Sequence, residues 1–455
     1  MSRTKKTILA LLVLALLALA LVLVVAKRSS TPTHSETVDL KLLREVIGHV
    51  KNKYVEEVDQ KKIVQGAIDG MLATLDPHSN YLPPEPFKEM NVQISGSFGG
   101  VGIELTVRED RLTVVAPIEG TPAERAGIKP NDHIMKIDSK FTKGLNINEA
   151  VKLMRGEKGT RVTLTIQRDT NGKPLVFPLV RDTINIKSMR YRTIAPGYGY
   201  IRIAQFQSRT GEEFKAALVK LREQNGGGIK GLVIDLRNNP GGLVDQAAKV
   251  ADCFIGDGLE NGLIVYTQGR SKDSRQNLSA YVAEKEPHYP IVILMNGGSA
   301  SASEILAGAL QDHKRAIVMG TQSFGKGSVQ SIFSLKEGAG LKLTTARYYT
   351  PNGRSIQVKG ITPDIVVAQL RQENHSSARR QEGEFREEKL DRHLSGGGMH
   401  PPLKPKPLAT MAIPPADPEL ARDYQLSRAV GLLQGLSSFA ELKKSPATPV
   451  PTVGE

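Results

Sequence analysis

Hydrophobic and polar positions divide this chain into segments of different period. Thr7 to Ala26 is an unbroken run of twenty apolar or small residues, long enough to span a hydrocarbon core. Leu40, Leu43, Ile47, Val50 and Tyr54 then recur at helical spacing, and a second helix is predicted over Ile63 to Leu75, stopped by Asp76-Pro77. Ile103 to Val107 predicts a strand, and Ile147 to Met154 a helix. Beyond Asp182 the order is strand, helix, strand. Tyr198 to Phe206 alternates, Thr210 with Glu213 predicts a capping box, Phe214, Leu218 and Leu221 mark one helix face, and Gly226 to Gly228 end it. Gly231 to Gly242 reads as a buried strand running into a glycine turn, which Asp235 and Arg237 are expected to fix. Pro290 to Met295 (PIVILM) is a continuous apolar run, as in the buried strands of parallel sheets, and Ile305, Leu306, Ala309 and Leu310 give the helix after it. Strands are predicted for Ala316 to Met319, Val329 to Leu335 and Leu341 to Tyr349. Charge and proline dominate Arg371 to Asp417, including Glu382 to Arg392, so disorder is expected there. Leu426, Val430 and Leu433 then predict a short amphipathic helix that docks back or meets a second subunit.

Composition narrows the class. With 455 residues, 40% hydrophobic and 24% charged, the chain has room for two or three globular domains. Its net charge is +14 at pH 7, yet it has no basic stripe with interleaved aromatics and no tryptophan. Nucleic acid is therefore disfavoured as a partner, and an anionic membrane surface or plain solubility accounts for the charge. Arg3, Lys5 and Lys6 ahead of the apolar run orient its amino end to the cytoplasm. Ala18-Leu-Ala20 also fits a cleaved signal peptide, but the run continues past it and favours an uncleaved anchor; either reading exports the rest. Cys253 is the single cysteine and is expected in the core, so neither a disulfide nor a thiolate metal cluster is expected. The nine histidines include no H-E-x-x-H pair, which disfavours a metalloprotease, and no cofactor is expected.

Chemistry gathers between Asn296 and Gln330. Ser299, Ser301 and Ser303 stand where the PIVILM strand becomes a helix, whose amino end offers free N–H groups to a developing oxyanion. The structural use of Ser301 is a capping box with Glu304. Lys326 lies in SFGKGS, with a glycine on each side to let other backbone approach. Gly320 to Gly327 nearly matches a phosphate loop, but Gly327 replaces the required hydroxyl and a strand follows instead of a helix. A serine and a lysine suffice for acyl transfer if the amine is neutral. The reference lysine pKa of about 10.4 leaves little free amine at neutral pH, and burial lowers it by up to about 3–5 units.

GSASASEILAGALQD followed by SFGKGSVQ resembles the carboxyl-terminal processing (tail-specific) protease family, from about Val38 to Val367. The family's serine-to-lysine interval of 25 residues selects Ser301 as nucleophile for Lys326, and Gln330 matches the glutamine that orients the lysine amine. The resemblance implies oxyanion donors at the N–H groups of Gly241 or Gly242 and of Ala302. It makes LDPHS, with Asp76 and His78, a structural signature and Gly360 to Ile365 a closing motif. Residues 92–182 resemble a PDZ domain, with Gly100, Val101, Gly102 and Ile103 as the carboxylate-binding loop and Asn131 where glycine is usual. The implied architecture mixes α+β and α/β domains. It runs from an anchor or signal (1–28) and a helical region (29–91) to the PDZ domain and an α/β serine protease core of the crotonase/Clp-like type (183–368). A disordered linker (369–420) and a terminal helix (421–438) follow. The implied function is a Ser–Lys endopeptidase, single-pass in the inner membrane with its catalytic part in the periplasm or outside the cell. Its expected partners are proteins with apolar carboxyl termini, the membrane, a second copy of itself, and an adaptor or activator. The rival reading is a membrane-anchored PDZ adaptor that binds carboxyl termini without cleaving them.

Overall fold

The computed structural model describes residues 34–168, 172–256, 262–281, 285–369, 386–396, 406–407, 420 and 423–444. The apolar run Thr7 to Ala26, and with it the expected anchor, lies outside the described residues. Among the described residues no helix is long and apolar enough to cross a membrane. Two compact units divide at Thr74 and Leu75. The first holds α1 (His34–Lys53) and α2 (Gln60–Leu72), the latter capped by Asp59, which accepts the Lys61 N–H at 2.8 Å.

In the second unit, β1 (Asn80–Leu82) and α3 (Pro84–Ser95) precede a small antiparallel domain. Its sheet contains β3 (Ile103–Arg108), β4 (Arg111–Pro117), β5 (His133–Ile137), β7 (Arg161–Gln167) and β8 (Leu175–Val180) in that order, with β6 (Lys140–Phe141) against β5. Val114, Ile134, Leu164 and Ile166 fill its core, together with Ala123 from α4 (Pro122–Arg125) and Ala150 from α5 (Ile147–Met154). Asn131 has φ 68, the left-handed conformation glycine usually supplies there. β2 (Ser97–Gly100) pairs with β9 (Asp182–Asn185), with Gly100 opposite Asp182, so the chain enters and leaves this domain through a two-stranded antiparallel ribbon.

The larger domain is built on a seven-stranded sheet. β10 (Met189–Ala195) is antiparallel to β11 (Tyr198–Ile203). The rest run parallel in the order β12 (Gly231–Asp235), β15 (Ile291–Met295), β16 (Ile317–Gly320), β19 (Ile365–Val366) and β20 (Lys406–Pro407). Both faces of the sheet are covered, which explains the continuous apolar run of β15. Ile291, Ile293 and Met295 pack with α6 (Thr210–Gln224), α7 (Val244–Asp252) and α8 (Ala302–Asp312), whereas Val292 and Leu294 meet α9 (Tyr424–Lys444). Cys253 lies in the first of these cores, as expected, and burial pushes its thiol up to about 12. A second sheet carries β13 (Leu263–Gly269), β14 (Gln276–Ser279), β17 (Ser328–Ser334) and β18 (Gly340–Tyr349), with β1 on its edge.

Two expectations change and one left open is decided. Thr210 is not a cap: its hydroxyl accepts the Gln207 N–H at 2.8 Å and α6 begins without a side-chain cap. Residues 386–396, inside the stretch expected to be disordered, are folded against the core, with Glu387 fully buried. Finally, the terminal helix docks back on the sheet through Leu426, Ala429, Val430 and Leu433. Arg237 clamps it. The guanidinium donates to Asp235 Oδ1 and Oδ2 at 3.0 and 2.7 Å and to Asp423 Oδ1 and Oδ2 at 2.8 and 2.6 Å. Burial alone would push the Asp423 carboxyl up, but Arg237 holds it below the usual range.

Leu433 is buried against β12 and β15, so Leu433→Ala is expected to cost about 2–5 kcal/mol. A denaturant midpoint that falls while the slope is retained is the expected result.

Candidate active site

Three loops meet where the parallel strands β12, β15 and β16 end. The carboxyl edge of such a sheet is where its ligands bind. β12 leads into the turn Leu236–Gly242, β15 into Asn296–Ser301, and β16 into Thr321–Gly327.

The serine turn separates its three hydroxyls by use. Ser299 Oγ accepts the Asn296 N–H at 3.0 Å and donates to the Leu236 carbonyl at 2.8 Å, and Ser303 Oγ donates to the Asn239 carbonyl at 3.0 Å. Both are buried. Ser301 is only partly buried and sits at φ 53, ψ −112, a conformation L residues rarely hold. The interval-based choice of Ser301 therefore falls on the one serine of the three that is not packed into the turn. The Ala302 N–H behind it has no hydrogen-bond acceptor among the described residues.

The glycine turn narrows the oxyanion expectation. The Gly241 N–H donates to Asn239 Oδ1 at 2.9 Å and is spent, which removes it from the expected donors. The Gly242 N–H has no acceptor among the described residues. Gly241 still has a steric reason to be glycine: at φ 103 its missing Cβ would lie 2.9 Å from Ser301 Cβ and 3.0 Å from Ala302 N.

Glu304 joins the serine turn to the lysine loop. It is fully buried. Its Oε2 accepts the N–H groups of Ser301 at 2.7 Å and Lys326 at 3.0 Å, and its Oε1 accepts Ser323 Oγ at 2.6 Å and the Gly325 N–H at 2.7 Å. Burial pushes this carboxyl up to about 7, against the four donors, which favour its ionised form. The Glu304 half of the capping box legible in the sequence forms, and it is one corner of a larger node. The glycines flanking Lys326 are explained by close backbone. A Cβ on Gly325 would lie 2.6 Å from Val358 O, and one on Gly327 2.2 Å from Gln357 N.

Lys326 itself is largely enclosed. Burial lowers its amine below the ordinary lysine value, helped by Lys342 and opposed by Glu387, Glu304 and Asp76. Its Nζ makes no hydrogen bond among the described residues, to Ser301 or to Gln330. Gln330 Nε2 donates instead to Ser328 Oγ at 2.9 Å and Thr344 Oγ1 at 3.4 Å. The expected orienting bond is therefore not formed in this structure, and the side-chain oxygen of Gln330, Oε1, has no donor among the described residues. Catalytic hydrogen bonds in unliganded enzymes are often long and tighten with substrate.

In the PDZ-like domain the expected loop divides. Gly100 belongs to the ribbon strand β2 and Val101 is buried. The Gly102 carbonyl accepts the Ile118 N–H and Thr121 Oγ1, and Ile103 opens β3. Among the described residues β3 pairs with β4 alone, which leaves its other edge available to an added strand. A cleft of about 1020 Å³ lies between α3 and α5, with Phe98, Gly99 and Val151 among its walls.

Comparison with known proteins identifies the family. Residues 197–367 match the family model for peptidase family S41, residues 113–168 that for the PDZ domain, and residues 23–85 that for the activating protease CtpB N-terminal domain. A carboxy-terminal-processing protease of Bartonella bacilliformis is 43% identical over 427 residues, covering 93% of this chain and 95% of the relative. This chain belongs to the carboxy-terminal-processing proteases. A Staphylococcus aureus protein named "Probable CtpA-like serine protease" is 40% identical across 73% of this chain and 66% of its own length. Among solved structures, a photosystem II D1 C-terminal processing protease is 31% identical, with a TM-score of 0.42 over 72% of this chain and 86% of that one. The protein is thus a serine-type peptidase carrying a PDZ domain.

Sequence reasoning singled out Glu304 only as a cap and did not reach Gln357 or Glu387, whose part in the lysine loop arises from chain segments far apart. In the protease, Glu304→Gln sets an amide NH₂ where donors already converge. It is expected to cost about 1–3 kcal/mol of stability and, by displacing the two loops, to cut cleavage about 10²-fold. Denaturation and cleavage of an unfolded protein, compared with Ser301→Ala, separate the two effects, because Ser301→Ala should lose cleavage without losing stability.

Proposed function

We propose that the protease is a membrane-anchored, exported endopeptidase with a Ser301–Lys326 dyad that cleaves proteins near apolar carboxyl termini. The observation that carries this reading is the single Glu304 Oε2 atom that receives the N–H groups of both residues, 25 positions apart. In this mechanism the neutral Lys326 amine removes the Ser301 proton as Oγ attacks the scissile carbonyl, and it returns that proton to the leaving amine. Water then repeats the sequence to release the acyl group. The unengaged N–H groups of Gly242 and Ala302 receive the oxyanion, each worth roughly 2.7–4 kcal/mol in such sites. Gln330 Oε1, which has no donor among the described residues, accepts from Lys326 Nζ once substrate is bound.

The free edge of β3 supports capture of an extended carboxyl-terminal segment by strand addition, beside the loop of Gly100, Val101, Gly102 and Ile103. The two-stranded ribbon suits a delivery domain that moves. The run Thr7 to Ala26 supports a single-pass location in the inner membrane, with the catalytic part in the periplasm or outside the cell. Leu40, Leu42, Leu43 and Val46 are exposed along α1, which supports pairing with a second copy or with an adaptor. The adaptor-only alternative gives no reason for an enclosed lysine whose N–H shares one carboxylate oxygen with that of a strained serine.

Ser301→Ala and Lys326→Ala are each expected to abolish cleavage of an unstructured protein ending in apolar residues, with folding intact, a loss of at least ~10²–10⁴-fold. Burial holds Lys326 below its ordinary 10.5. The wild-type rate should therefore rise with pH through that lowered pKa, as the amine loses its proton, and then level off. A rate that survives either substitution overturns the dyad. Excising residues 101–181, whose flanking Gly100 and Asp182 are already paired, should remove the preference for apolar carboxyl ends. A preference that persists removes the PDZ domain from delivery.

A further inference from the structure

The Lys326 loop is held from two sides, and the second is supplied by a part of the chain that composition marks for disorder. Every backbone N–H from Phe324 to Gly327 is engaged. Phe324 donates to the Ser299 carbonyl at 3.0 Å, Gly325 and Lys326 donate to Glu304, and Gly327 donates to Gln357 Oε1 at 3.0 Å. Gln357 is fully buried, and its own Nε2 donates to Glu387 Oε1 at 2.8 Å and to the Leu394 carbonyl at 3.1 Å. Glu387 also donates its N–H to the Phe324 carbonyl at 3.2 Å. The segment 386–396 thus grips both ends of the loop.

Glu387 is fully buried and its third partner is His78, whose Nε2 lies 2.8 Å from Oε2 and 3.0 Å from Oε1. His78 follows Asp76, which accepts the N–H groups of His78 and Ser79 at 2.9 and 3.1 Å, Ser79 Oγ at 2.7 Å and Thr344 Oγ1 at 3.0 Å. LDPHS, left as a structural signature by the sequence, therefore fastens β18 and the tail segment together behind the catalytic loop.

We propose that Glu387 is a positioning residue of the active site, fixing the Lys326 loop through Gln357 and the Phe324 carbonyl and adding one negative charge behind the lysine. The kinetic half of this inference rests on the Ser301–Lys326 reading, whereas the half that concerns loop order does not. The charged groups facing Lys326 come from four elements: Glu304 on α8, Asp76 on the turn before β1, Lys342 on β18, and Glu387 on the tail segment. The three carboxylates favour the protonated amine, while burial and Lys342 disfavour it. Burial alone would push Glu387 up, but His78, Gln357 and the charge of Lys326 hold its carboxyl below the usual range, which favours its ionised form. A tail segment that merely covered the core would need neither the buried charge nor the bond to Gln357.

The test uses the full chain with Glu387→Ala, Glu387→Gln and, as a control, Glu388→Gln, whose carboxylate is exposed and pairs with Arg386. Hydrogen exchange is followed at peptides covering residues 323–328, and kcat and KM are followed against pH on an unstructured protein with an apolar carboxyl end. Glu387→Ala should speed exchange of the loop amides and lower kcat about 10²-fold, with little change in KM. Glu387→Gln keeps the hydrogen-bonding shape, so it should restore most of the exchange protection and of kcat. Its pH midpoint should move to lower values, because a charge favouring the protonated amine is gone. Glu388→Gln should match wild type. Unchanged loop exchange in Glu387→Ala, or an unmoved pH midpoint in Glu387→Gln, overturns the inference. If Glu387→Ala fails to fold, the midpoint of Glu387→Gln decides. If cleavage survives Ser301→Ala, the dyad reading fails, and the exchange result still judges the loop.

Discussion

The architecture of this protease turns on one buried carboxylate. Glu304 takes four hydrogen bonds from two chain segments, one carrying Ser301 and the other Lys326, Gly325 and Ser323. A carboxyl group removed from water is costly unless its lone pairs are filled, and here they are filled by three backbone N–H groups and the Ser323 hydroxyl, which must be present in this arrangement. The node makes correct folding and correct catalytic geometry the same event. Neither loop can drift without leaving a buried donor or acceptor unpaired, a penalty of about 1–3 kcal/mol each.

Around that node the fold supplies three rigid supports. The parallel strands β12, β15 and β16 end side by side, so their loops converge without long excursions. α8 packs its buried face on the sheet and fixes the direction of its amino end. α9 covers the opposite face and is clamped by Arg237 between Asp235 and Asp423, which ties the glycine turn to the far terminus of the chain. The strain at Ser301 persists because its surroundings over-determine it.

The electrostatics of Lys326 are a balance between opposing influences. Enclosure and Lys342 push the amine toward neutrality, while Glu304, Glu387 and Asp76 pull it toward charge. A lysine in an apolar cavity would be a stronger candidate base but would lack the hydrogen-bonded shell that orders its loop.

Much of this was legible in one dimension because it depends on local periodicity. The two-sided burial of Ile291 to Met295, the helix over Ile147 to Met154, the Ser301–Glu304 cap and the glycines beside Lys326 follow from spacing and from what each side chain permits. The choice of Ser301 needed a resemblance, since the spacing of Ser299, Ser301 and Ser303 alone does not rank them. Tertiary structure decided the rest. It placed Ser299 and Ser303 inside the turn, spent the Gly241 N–H on Asn239, and turned Glu304 from a cap into a junction. It also buried Glu387 within a segment whose charge and proline content predict disorder. Such long-range partners leave no periodic trace, because a hydrogen bond between residues 78 and 387 depends on where the sheet brings them and not on what lies beside either one.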